Sequence, residues 1–129
     1  MEQQYLMDTN VVIDYLGNKL PPGGSLFIDN LFPVISVISR IEILGWFGST
    51  PTQLNRLNTF INNAFSFGLT ENIILKTISI RQEYKIKTPD AIIAATAIVY
   101  NHILLSHNSK DFRVINGLVV LDPHQMEAI

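Results

Sequence analysis

The run Ala91-Ile92-Ile93-Ala94-Ala95-Thr96-Ala97-Ile98-Val99 has Thr96 as its only polar side chain, so a helix built from it has no side that prefers water. Such a helix must be covered all round by the rest of the fold. Thr88-Pro89-Asp90, just before it, reads as a helix start. Thr88 serves as cap, Pro89 takes the first helical position, and Asp90 places a negative charge in the first turn, where it meets the positive end of the helix dipole.

The segments able to enclose this helix alternate between two periodicities. Tyr5-Leu6-Met7 predicts a short strand ended by Asp8, after which Val11, Val12, Tyr15 and Leu16 recur at helical spacing until Gly17. The loop Leu20-Pro21-Pro22-Gly23-Gly24 leads to a brief helix over 25–31 and a β-branched strand over 33–36. A helix runs from Val37 through Ile38, Ile41 and Leu44 toward Gly45, and Pro51-Thr52 open another with Leu54, Leu57, Ile61 and Ala64 on one face. Residues 65–69 alternate like a strand, and Thr70 caps a helix that reaches about Tyr84. Residues 103–106 read as a buried strand, and residues 118–121 as a last one closed by Asp122-Pro123. No repeat or linker divides the chain, so one α/β domain over residues 1–129 is expected, its mostly parallel sheet covered on both faces.

Composition narrows the chemistry. A chain of 129 residues buries roughly two thirds of its unfolded surface and needs no covalent staple. It has no cysteine, so disulfides, thiolate metal sites and thiol nucleophiles are out. With 9 Lys+Arg against 11 Asp+Glu, no global positive field exists to grip a polyanion, and any such site must be local. A charged fraction of 16% and a mean hydropathy of +0.25 leave room for apolar surface that a partner covers. Met1 to Gln4 carry no secretion-signal pattern, and the longest apolar stretch, Ala91 to Tyr100, falls short of the ~20 residues a membrane span needs. A cytoplasmic protein with no membrane partner is the expectation.

In an open parallel sheet, ligands sit beyond the carboxyl ends of the strands. Asp8 stands there, with Thr9 and Asn10 beside it. Asn108 and Asp111 follow the strand that ends at Ser106, while Glu42 and Asp90 sit on helices. Each acid has a plainer reading. Asp8 can cap its helix, Asp90 can answer the helix dipole, and Asp111 can belong to a turn. Glu42 is harder to dismiss, because apolar neighbours flank it and a buried carboxylate needs a partner. One arrangement accounts for all of them: the acids face one another at the sheet edge, and a hard divalent cation, Mg²⁺ or Mn²⁺, offsets their repulsion. His102, His107 and His124 are not spaced like a zinc site, and His102 and His124 read as surface residues. Nucleotide-cradling glycine loops and a serine-hydrolase elbow are both missing. A phosphorylatable signalling domain would need an acid two residues after Asp8 and another after the third strand, where this chain has Asn10 and Phe67-Gly68-Leu69-Thr70.

Four segments in order, Met7-Asp8-Thr9-Asn10-Val11-Val12-Ile13-Asp14, residues 36–44, residues 88–97, and Leu105-Ser106-His107-Asn108-Ser109-Lys110-Asp111-Phe112, resemble the PIN-domain ribonucleases. Within that family the likeness is to VapC-type toxins of toxin-antitoxin pairs, and it runs from end to end. The resemblance implies a three-layer α/β/α domain that binds Mg²⁺ or Mn²⁺ through Asp8, Glu42 and Asp90 and cleaves RNA by metal-activated water. Asp111 is the available fourth carboxylate, with Asn108 assisting, and Thr9 and Ser106 match the family's hydroxyl neighbours of the metal. At His107 the chain departs from the arginine frequent in these toxins, leaving Arg40, Lys110 and Arg113 as candidates to hold the substrate phosphate. A homodimer and a cognate antitoxin are implied as partners. Trp46 and Phe47, just after the Glu42 helix, are read either as partner-facing aromatics or as core. A catalytically idle interaction domain with the same fold is the alternative.

Overall fold

The computed structural model describes residues 2–127. In chain order the elements are β1 (Tyr5–Met7), α1 (Thr9–Leu16), α2 (Pro22–Asp29), β2 (Val34–Ser36), α3 (Val37–Leu44), α4 (Pro51–Asn62) and β3 (Phe65–Phe67), then α5 (Glu71–Glu83), α6 (Thr88–Val99), β4 (Ile103–Leu105), α7 (Ser109–Arg113), β5 (Val120–Leu121) and a 3₁₀ turn over Pro123–Gln125. Every strand pairing is parallel. β4 lies between β1 and β5 in one ladder, β2 pairs with β3 in a second, and β2 runs beside β1. The sheet is therefore wholly rather than mostly parallel among the described residues.

Alternation along the strands divides the core into two halves. Leu6, Val34, Leu104 and Val120 face a layer formed by α5, α6 and α7, where they meet Ile73, Ile80, Ile93 and Phe112. Met7, Ile35 and Leu105 face the opposite layer, where they meet Val11 and Val12 of α1, Ile28 of α2, Ile43 of α3 and Leu57 and Ile61 of α4. Three layers, α/β/α, result from the two-residue period of the strands alone.

The apolar helix α6 behaves as its composition requires, with Ala91 to Ala97 all buried. α5 packs along it. The two buried threonines of this pair solve their hydrogen-bonding problem inside their own helices: Thr77 Oγ1 donates to Ile73 O and Thr96 Oγ1 to Ile92 O, both at 2.7 Å. α6 starts one residue earlier than its cap pattern predicts. Thr88 is already helical, and Lys87, which has no side-chain acceptor, holds the cap position.

Other boundaries also moved. α2 begins at Pro22, ahead of the expected start, because proline's fixed φ suits a first helical turn. α7 was not foreseen, and the last strand is shortened to Val120–Leu121. α2 packs against the 3₁₀ turn so closely that a Cβ on Gly24 would lie 2.3 Å from the Pro123 carbonyl oxygen. Backbone on both sides of that contact cannot step aside. Gly24→Ala is therefore expected to cost about 1–3 kcal/mol, the usual range for overpacking. Urea unfolding measures this, and a variant as stable as the parent would show that the turn can shift.

Candidate active site

Parallel pairing brings the carboxyl ends of β1 and β4 side by side, and the polar residues that follow them meet there. The Asp8 N–H donates to Leu105 O at 2.9 Å, extending the ladder by one residue. Ser106 Oγ then donates to Asp8 Oδ2 at 2.8 Å and accepts the Asn108 N–H at 3.0 Å. The other carboxylate oxygen, Oδ1, accepts the Thr9 N–H at 2.8 Å and caps α1. The capping and site readings of Asp8 are thus compatible, one oxygen serving each. Both Asp8 and Ser106 are buried.

Glu42 departs from expectation. It is exposed rather than buried, and among the described residues no basic side chain lies within ion-pair distance of it. Its Oε1 accepts Thr9 Oγ1 at 2.6 Å. Thr9 Oγ1 also lies 2.9 Å from Ser39 Oγ, and since its single proton goes to Glu42, this second contact takes the Ser39 proton. Ser39, wholly buried, is a site residue that sequence reasoning missed. Its signal was the Ser39-x-x-Glu42 spacing, which places both side chains on one face of α3.

Asp90 sits in the first turn of α6, half-buried. With Asn108 and Asp111, both exposed, it lines a polar cleft of about 520 Å³. Arg81, Lys85 and Lys87 line the same cleft, and none of them is singled out by the sequence pattern. Arg40, Lys110 and Arg113 are exposed and lie outside that lining. Asn10 is exposed beside Asp8.

The acids influence one another. Burial raises the Asp8 carboxyl above its ordinary value; the Ser106 and Thr9 hydrogen bonds offset part of this, and the charges of Asp90 and Glu42 add to it. Asp90 is likewise raised, first by burial and then by Glu42 and Asp111, with Lys87 pulling the other way. Among the described residues no basic side chain lies within ion-pair distance of any of the four acids. Nor is any group of three or more His, Asp or Glu side chains there arranged to hold a metal ion.

The histidines differ from their expected roles. His124 is pinned to α1, its Nε2 lying 2.9 Å from Asp14 Oδ2, and His102 is half-buried, edge-on to Phe67. His107 Nδ1 lies 3.0 Å from Asp122 Oδ2, and its ring packs on His124 at 4.2 Å. Trp46 and Phe47 are 43% and 97% exposed, which excludes the core reading for both.

A three-layer α/β/α domain with acids gathered at the carboxyl edge of a parallel sheet defines the class. The PIN domain pattern matches residues 5–118, and the chain belongs to the PIN-domain family. A toxin-antitoxin complex from Klebsiella pneumoniae contains a chain 29% identical, with a TM-score of 0.78 over 95% of this chain and 100% of that one. VapBC-1 from nontypeable Haemophilus influenzae is 26% identical, with a TM-score of 0.78 and coverage of 95% and 100%. DNA-bound VapBC from Salmonella typhimurium is 20% identical, with a TM-score of 0.83 and coverage of 95% and 99%. No curated protein is significantly similar in sequence.

Raised carboxyl pKa values have a stability consequence of definite sign. Between the ordinary value of 3.8 and the elevated one, the folded state holds more protons than the unfolded state, so stability falls as pH rises through that window. The helix dipole favours an ionised Asp90 by about 0.3–1 kcal/mol, yet its carboxyl remains raised, so burial and neighbouring acids outweigh it. Without divalent cations, Asp90→Asn is expected to melt higher than the parent at neutral pH and to lose less stability on going from mildly acidic to neutral conditions. Thermal melts across that range check this, and a variant melting at or below the parent at neutral pH would contradict the repulsion.

Proposed function

We propose that this chain is a metal-dependent endoribonuclease and the toxin of a toxin-antitoxin pair. The observation that carries the reading is Asp8: a carboxylate held by Ser106 and the Thr9 N–H, its pKa raised first by burial and then by Asp90 and Glu42, with no cationic side chain paired to it among the described residues. Burying negative charge in this way is costly unless a positive partner arrives. Hard oxygen donors suit Mg²⁺ or Mn²⁺, and Mg²⁺ in particular keeps several waters while binding through one or two carboxylates. That habit fits acids which share one edge without closing into a tight cage.

Asp8, Glu42, Asp90 and Asp111 would hold the ion. A bound divalent cation supplies an acidified water and neutralises charge on the phosphate under attack. The chain's own residues do the rest. Ser106 fixes one oxygen of Asp8 and so sets which lone pairs remain open. Thr9, backed by Ser39, aims Glu42 toward the same edge. Asn108, whose N–H is tied to Ser106, presents its side-chain amide to the cleft, where it can orient a water.

A cognate antitoxin is supported by the likeness to the chain of the Klebsiella pneumoniae toxin-antitoxin complex. A second copy of the chain as partner rests on the family resemblance. Exposed Trp46 and Phe47 support a protein-facing role, and Trp46 borders a cavity of about 230 Å³ shared with Ile13, Leu16 and Leu57. No helix among the described residues is long and apolar enough to cross a membrane.

The test is cleavage of a mixed RNA pool by purified protein, with Mg²⁺ or Mn²⁺ and with a chelator. Asp8→Asn and Asp90→Asn are expected to abolish cutting while preserving the fold, since asparagine caps α1 about as well as aspartate. Ser106→Ala, which loses only the group that orients Asp8, should cost about 10–100-fold. Full activity in either acid variant, or cutting that survives the chelator, would overturn the assignment.

A further inference from the structure

The cleft beside Asp90 has a wall that the acids do not explain. Arg81 near the end of α5, and Lys85 and Lys87 in the connection to α6, line it together with Asp90, Asn108 and Asp111. Three of the chain's 9 Lys+Arg therefore fall within residues 81–87 and in the lining of one cleft. In a chain of net charge −2, that is local placement. None of the three is in an ion pair with a carboxylate among the described residues, so none is tied up in a close contact with the acids. Arg81 is fixed by the loop itself, its Nε donating to Ile86 O at 3.3 Å, which turns the guanidinium into a bracket for the segment that carries both lysines. Lys85 and Lys87 are exposed, and Lys87 stands close enough to Asp90 for its charge to be felt there.

An acid site of this kind repels the polyanion it must cut. Any nuclease built around it needs positive charge next to the acids, set back far enough not to collapse onto them. We propose that Arg81, Lys85 and Lys87 form a phosphate-binding wall that grips the backbone of an RNA strand beside the acids and leads it across the α5–α6 connection into the cleft. This rests on the nuclease reading above and adds the place where the strand lies. Flexible ammonium groups act as point charges on phosphate and read no base edges, so the wall supplies affinity and alignment and leaves sequence choice to other groups.

The experiment is equilibrium binding of the full chain to fluorescein-labelled single-stranded oligoribonucleotides of different sequence. Anisotropy is followed over about 50–200 mM KCl, the range in which phosphate contacts are most visible, with EDTA present and the RNA checked for integrity. Lys85→Ala/Lys87→Ala is expected to weaken binding to every sequence alike. The slope of log K against log salt should become shallower by about 1.4, at about 0.7 per phosphate contact on a single strand. Arg81 is left in place because it anchors the loop. Lys19→Ala/Lys76→Ala removes the same charge away from the cleft and should leave affinity and slope near the parent's. A parent that binds RNA, with a Lys85/Lys87 variant of unchanged affinity and slope, overturns the wall and leaves the nuclease reading standing. Equal losses in both double variants also overturn it, since net charge alone would then explain the effect. A parent that binds no RNA also overturns the wall, while the cleavage assay with Mg²⁺ or Mn²⁺ decides the nuclease reading separately.

Discussion

The bond from Ser106 to Asp8 joins two strands, a helix and the candidate site through one carboxylate. It forms because β1 and β4 are parallel neighbours whose last residues are in register, Met7 opposite Leu105, so the next residue on each strand emerges at the same edge. An antiparallel pairing would have sent them to opposite ends of the sheet. The same carboxylate starts α1 with its second oxygen. Local structure and site chemistry are therefore not separable at Asp8: moving it would uncap a helix, loosen a strand end and open the acid cluster together.

The site is a balance between burial and charge. Asp8 is out of water yet receives two hydrogen bonds, which keep its carboxylate tolerable, while Asp90 and Glu42 make it less so. The fold carries this tension because the rest of its interior is ordinary. Both halves of the core are aliphatic, and buried hydroxyls such as Thr77 and Thr96 are satisfied within their own helices. No buried side-chain nitrogen or oxygen among the described residues lacks a hydrogen-bond partner.

Most of the architecture was legible because the periodicities are clean. The all-apolar run became the buried α6, Thr70 caps α5 through its side chain as its position predicts, and the β-branched segments became strands. The misses share a cause. Glu42 was judged buried from its neighbours in sequence, but a helix shows those neighbours to different faces, and the side that carries Glu42 looks outward. His124 was read as a surface residue because its partner Asp14 lies 110 positions away. The basic residues are not legible in sequence, because three bases around the end of one helix look like a solvated surface until the fold brings them into one cleft with Asp90 and Asp111.

The sequence alone determined what is local: the types of most elements, the Thr70 cap, the enclosed helix, and the absence of thiol chemistry, since these depend on neighbours within a few residues and on composition. It also ordered four acid-bearing segments in a way that matches one family. Only the tertiary structure decided which carboxylate is buried, which hydroxyl orients it, and which bases share its cleft. Those facts depend on distances between residues far apart along the chain, and parallel strand pairing, with a helix crossing between each pair, sets them.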